Sequence, residues 1–249
     1  MTRWRGVLFD KDGTLIDFNA TWVPATIDTA RAVAAMAHAD AGASAEREAL
    51  TAKLVGMIGY DLATRSLDPE SLLARGSLGE IAALWARAAG IEAKQGAIER
   101  IGVEFRNHAV GKASPLFPLA AVLGSLRARG LRLGVATMDS TQSATMTFAS
   151  LKVDHLLDFI TGYDGGHGEK PGPGMVHGFC ASVGIKPSEV VVVGDSLHDM
   201  VMAKAAGAGL AVAVLSGVAG HDHLADQADA VIRGVGELEA LLQRLAVAT

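Results

Sequence analysis

Gly6-Val7-Leu8-Phe9, followed at once by Asp10-Lys11-Asp12-Gly13-Thr14, is the stretch that decides the fold. Four consecutive apolar or small residues without alternation read as a strand buried on both faces, the signature of a parallel sheet interior. The polar run after it carries two carboxylates and an Asp-Gly turn signal. In an open parallel sheet, this carboxyl end of the strand is the edge where ligands bind.

Five further runs of the same kind occupy residues 131–136, 159–162, 190–193, 210–215 and 230–232. Helical stripes separate most of them. Residues 116–129 place Leu119, Val122, Leu123 and Leu126 at helical spacing, and 200–206 and 235–245 are similar. The alternation predicts an α/β fold, a doubly wound parallel sheet with a Rossmann-like core. Residues 18–111 break the rhythm. They are alanine-rich, show no convincing strand and predict an inserted α-helical domain. Pro24 suits the first turn of a helix through Ile27, Val33 and Met36. Asp68-Pro69-Glu70 reads as a helix start, and Ser77 with Glu80 as a capping box. The expected division is 1–17 with 112–249 as the α/β core, and 18–111 as the helical insert.

Composition narrows the class. Of 249 residues half are hydrophobic and 20% charged, which supports a large core and excludes a disordered chain. Cys180 is the one cysteine, so a disulfide framework is excluded and a reducing, cytoplasmic setting is expected. No apolar run approaches the ~18 residues of a membrane span, and no signal peptide is expected. A net charge of -5 argues against a nucleic-acid partner.

The chemistry collects after the strands. Asp10 and Asp12 follow the first, and Thr137-Met138-Asp139-Ser140 the second. Lys170-Pro171 lies in the loop after the third, and Gly194-Asp195-Ser196, with Asp199, follows the fourth. All four clusters fall on one sheet edge. Gathered carboxylates repel, so the site calls for a cation. Lys170 supplies one charge. Mg²⁺ fits the rest, because it binds few protein carboxylates and leaves room for phosphate. Thr137, Gly13 and nearby amides suit phosphate oxygens, and an aspartate beside them suits nucleophilic phosphoryl transfer.

These four motifs, in this order, resemble those of the haloacid dehalogenase-like hydrolase superfamily, and most of all its phosphoglycolate phosphatase group. The insert resembles that family's helical cap. The resemblance implies that Asp10 is the nucleophile and forms an aspartyl-phosphate. It implies that Asp12 is the acid and base, and that Thr137 and the Met138 amide hold the phosphoryl group. Lys170 pairs with Asp10 and phosphate. Mg²⁺ is held by the Asp10 carboxylate, the Asp12 carbonyl and Asp195, with Asp199 supporting the metal or Lys170 from behind. A dehalogenase of this family lacks the second aspartate, so Asp12 favours phosphate esters. The implied partner is a small phosphorylated metabolite, 2-phosphoglycolate first. The alternatives are a phosphomutase of the β-phosphoglucomutase kind and a catalytically silent phosphometabolite-binding protein. Oligomeric state is not legible.

Other residues take plainer readings. Asp195 also stands where a helix N-cap belongs. His221 and His223, on either side of Asp222, read as solvated, the spacing of His198 fits no role, and Lys53, Arg65 and Arg75 read as exposed helix charges. Trp22, Trp85, Met36 and Met57 read as core of the insert, and Cys180 as a buried small residue. Lys11, where the family commonly has an apolar residue, is expected to point away from the site. Met138-Asp139 departs from the Asn that often follows the threonine.

Overall fold

A computed structural model describes residues 4–39, 43–68, 71–92, 94–110, 112–217 and 221–247, with the side chains of Arg75, Asp222, His223 and Val247 outside the description. The chain divides into two compact units, residues 1–18 with 114–249, and 19–113.

The first unit is an α/β layer. Its six strands are β1 (Gly6–Phe9), β4 (Arg132–Ala136), β5 (Phe159–Thr161), β6 (Val190–Gly194), β7 (Leu210–Val214) and β8 (Ala230–Ile232). They lie in the order β5-β4-β1-β6-β7-β8, and every pairing is parallel. The six expected strands are therefore all present. β1, β6 and β7 are buried along their whole length, as continuous apolar runs require. β1 lies inside the sheet, with β4 on one side and β6 on the other. The chain leaves it toward opposite edges, so the carboxyl end of β1 lies at a topological switch point.

Helices α6 (Leu119–Ala128), α7 (Thr141–Ser150), α8 (Gly174–Val183), α9 (Leu197–Ala206) and α11 (Leu238–Val247) belong to this unit, with a short α10 (His221–Leu224). The segment expected to be helical from Val235 opens with a 3-10 turn, Val235–Glu237, before α11 begins. Phe179 of α8 packs so closely on the sheet that a Cβ at Gly134 would lie 2.7 Å from its ring. Leu8, Val192, Met175, Val176 and Met200 share that buried cluster.

The second unit contains most of α1 (Phe18–Ala37), then α2 (Ser44–Met57), α3 (Leu72–Arg75), α4 (Leu78–Ala88) and α5 (Ala97–Val110). Trp85 stacks on Phe105 at 5.4 Å, Trp22 lies 6.0 Å from the same ring, and the Trp85 indole donates to the Leu54 carbonyl over 2.9 Å. The Ser77–Glu80 capping box is present. Four expectations are corrected. A two-stranded antiparallel ribbon, β2 (Tyr60–Asp61) with β3 (Ser66–Leu67), interrupts the helices. Two-residue strands have no period, which hid them from pattern reading. Pro24 lies inside α1 instead of in its first turn. Met57 is 41% exposed and so not core. Arg65 sits in the ribbon's turn with φ 54°, not on a helix. Pro69, Glu70 and Gly111 lie outside the described residues.

Candidate active site

The strands deliver the expected side chains to one edge. Asp10 directly follows β1, and its amide donates to Val193 of β6 over 2.8 Å. Thr137 directly follows β4, and its amide donates to Thr161 of β5 over 3.0 Å. Asp195 directly follows β6, and Asp199 lies in the first turn of α9. Asp10, Thr137, Lys170, Asp195 and Asp199 are all buried, and Met138 is half-buried.

Lys170 is the hub. Its ammonium donates to Asp10 Oδ1 and to Asp199 Oδ1, each over 2.6 Å. Carboxylate oxygens of Asp10, Asp195 and Asp199 all lie within 4.8 Å of one another. Burial pushes the Asp10 carboxyl up to about 7, against the pull of Lys170 and with help from the charges of Asp199 and Asp12. Burial alone would lower the Lys170 ammonium, yet Asp10 and Asp199 hold it above its ordinary value.

Asp199 has two jobs. Its Oδ1 takes the lysine, while its Oδ2 accepts from the Ser196 hydroxyl over 2.6 Å and from the Ser196 amide over 3.2 Å. The N-cap of α9 is therefore Ser196, not Asp195. The helix cap locks the Asp199 rotamer, which aims the other oxygen at Lys170. His198, on the same turn, is exposed.

Two residues escaped the sequence reading. A Cβ at Gly217 would fall 1.7 Å from Asp195 Oδ2, and the Ser216 hydroxyl donates to the Gly13 carbonyl over 2.7 Å. The loop after β7 thus cradles the Asp195 carboxylate and braces the Asp12-Gly13 turn. A Ser-Gly pair is too common a loop sequence to have flagged it.

Lys11 contradicts its expectation. It is buried, with its ammonium 2.7 Å from Asp12 Oδ2 and 3.3 Å from Asp139 Oδ2. A lysine in that environment needs counter-charge. Asp139, the other departure from the family pattern, provides part of it. The two departures are one ion pair.

The donor set is all oxygen, held close together, and dominated by carboxylates over a single lysine. That chemistry fits a hard divalent cation.

The chain matches the family model described as haloacid dehalogenase-like hydrolase over residues 4–207. It is 30% identical over 207 residues to the phosphoglycolate phosphatase of Yersinia pestis, covering 82% of this chain and 78% of that one. Over 93 residues, 37% of each chain, it is 36% identical to the phosphoglycolate phosphatase of Escherichia coli K12. Among solved structures, a predicted phosphoglycolate phosphatase from Haemophilus somnus aligns at TM-score 0.68 and 18% identity, over 97% of this chain and 99% of that one. A provisionally named β-phosphoglucomutase from Thermotoga maritima aligns at TM-score 0.68 and 19% identity, over 96% and 99%. At such identities the two structures speak to the fold alone. The four motifs, the parallel sheet that gathers them and the family match lead to one conclusion: the chain belongs to the haloacid dehalogenase-like hydrolases, in their phosphoglycolate phosphatase-like group of enzymes.

Proposed function

We propose that this hydrolase is a Mg²⁺-dependent phosphatase acting on a small phosphate monoester, with 2-phosphoglycolate the leading candidate. The observation that carries the reading is a buried Asp10 beside Asp195 and Asp199, with Lys170 tied to its Oδ1. We assign the chemistry to the α/β unit, substrate choice to the helical unit, and the protein to the cytoplasm.

Mg²⁺ would be held by the Asp10 and Asp195 carboxylates and the Asp12 carbonyl, and would supply positive charge against the phosphate. The rest falls to the chain. Thr137 Oγ1 and the Met138 amide hold oxygens of the transferring group. Lys170 neutralises charge on Asp10 and on the phosphoryl oxygens. Asp10 attacks phosphorus, its new O–P bond forming as the ester P–O bond breaks. Asp12 gives its proton to the departing oxygen, then takes one from the water that attacks the aspartyl-phosphate. That second attack frees inorganic phosphate and restores Asp10. Positioning and electrostatics dominate because charge spreads over three equatorial oxygens.

The test is hydrolysis of an aryl phosphate with and without Mg²⁺. Turnover should require the metal, and Asp10→Asn should abolish it in a folded protein. Full activity of Asp10→Asn sinks the reading. Release of inorganic phosphate, as against return of the group to a sugar, separates phosphatase from phosphomutase.

A further inference from the structure

We propose that Lys11 and Asp139 form a clamp that positions Asp12, an inference that rests on the acid–base role assigned to Asp12 above. Asp12 Oδ2 is held 2.7 Å from the Lys11 ammonium, while Oδ1 is buried and makes no hydrogen bond among the described residues. One oxygen is fixed and the other is left for proton exchange.

The clamp is rigid at both ends. The Lys11 carbonyl accepts from the Leu15 and Ile16 amides, each over 2.9 Å. Asp139 Oδ1 accepts from the Ser140 amide over 2.7 Å, and the Asp139 amide donates to Thr137 Oγ1 over 3.1 Å. The side chains of Lys11 and Asp139 are each only 2% exposed, so water does not screen the pair. Two neighbouring strands, β1 and β4, are thereby joined beyond their ends. The loop carrying the acid–base residue is tied to the loop carrying the phosphate-binding threonine. Lys11 is a positioning residue, because it acts through Asp12.

A flexible carboxylate would lose its alignment with the departing oxygen without changing how phosphate is bound. Freed of the clamp, the enzyme should lose kcat and keep KM. Lys11→Met leaves Asp139 buried without its cation and risks the fold. The double variant Lys11→Met/Asp139→Asn removes both charges and keeps the volume, so it is the deciding protein.

Wild type and double variant would be compared on an aryl phosphate with Mg²⁺, and by crystal structures of both. The expected result is a kcat reduced about tenfold or more, a KM within about twofold, and an Asp12 carboxylate displaced or split between rotamers. An unchanged kcat with Asp12 in place overturns the clamp and leaves the phosphatase reading standing. Parallel changes in kcat and KM, the mark of general damage to the site, also overturn it. A wild type that releases no phosphate sinks the phosphatase reading instead. The crystal structures then judge the clamp alone: Asp12 unmoved without Lys11 is against it, and Asp12 displaced is for it.

Discussion

The Lys170 ammonium donates to Asp10 Oδ1 over 2.6 Å, across 160 residues of sequence. A second bond of the same length runs to Asp199, so one cation holds two buried carboxylates. Lys170→Met would leave those charges facing each other. The expected cost is about 3–5 kcal/mol of stability at neutral pH, the range for breaking a buried pair from one side. Chemical denaturation measures it, and added Mg²⁺ should recover part of the loss.

If Asp10 holds the proposed Mg²⁺, its raised carboxyl makes that binding depend on pH. Its ordinary value is 3.8 and its folded value about 7, so the folded protein favours the protonated form. That contribution to stability is full below about pH 4 and is lost as pH rises through 7. A cation bound to ionised Asp10 offsets the loss. Thermal unfolding with and without Mg²⁺ should therefore show a larger metal-induced shift at pH 8 than at pH 5.5. Equal shifts at the two values would contradict the assignment of Asp10 to the metal.

Gly217→Ala places a methyl group 1.7 Å from Asp195 Oδ2, and a backbone-held carbon cannot swing aside. Asp195 must move. Mg²⁺ affinity, read from the concentration that half-activates the enzyme, should fall about 10–100-fold. Gly236→Ala, where a Cβ meets nothing within 4 Å, is the control and should leave affinity unchanged.

Phe105 holds the two tryptophans of the helical unit together, stacked on Trp85 and tilted against Trp22. Phe105→Ala empties a fully buried position and should cost about 3–5 kcal/mol. Tryptophan fluorescence during denaturation would follow the loss.

Cys180 is 6% exposed and its thiol is pushed up to about 11, first by burial and then by the charge of Glu189. A thiol reagent at pH 8 should leave it unmodified in the folded protein and label it fully in denaturant.

The α/β unit was legible because its strands are buried on both faces. Val190 to Val193 has no other reading at that length, and four of the six runs lead into the polar clusters that mark the site edge. The helical insert was legible in type and less so in detail, since alanine-rich helices hide the side that packs. Asp199 shows the limit for single residues. The family resemblance implied support for the metal or for Lys170, but its tie to the Ser196 cap depends on the turn that only the fold supplies. Lys11 shows the opposite failure. A residue read from its own position was expected to point away from the site, because its partner Asp139 lies on another strand's loop.

The sheet order has a consequence for biosynthesis. β1, which is apolar along its whole length and is followed at once by Asp10, pairs Gly6 with Arg132 on one side and Val190 on the other. A ribosome emits the first partner long after β1 and the second later still. Until then a sticky segment has no neighbour to cover it, and Asp10 is made long before Lys170 and Asp199, the residues that surround it in the fold. Nascent chains arrested before β6 should therefore be inert and hold on to chaperones, and catalysis becomes possible only once β6 and the loop after it have been made.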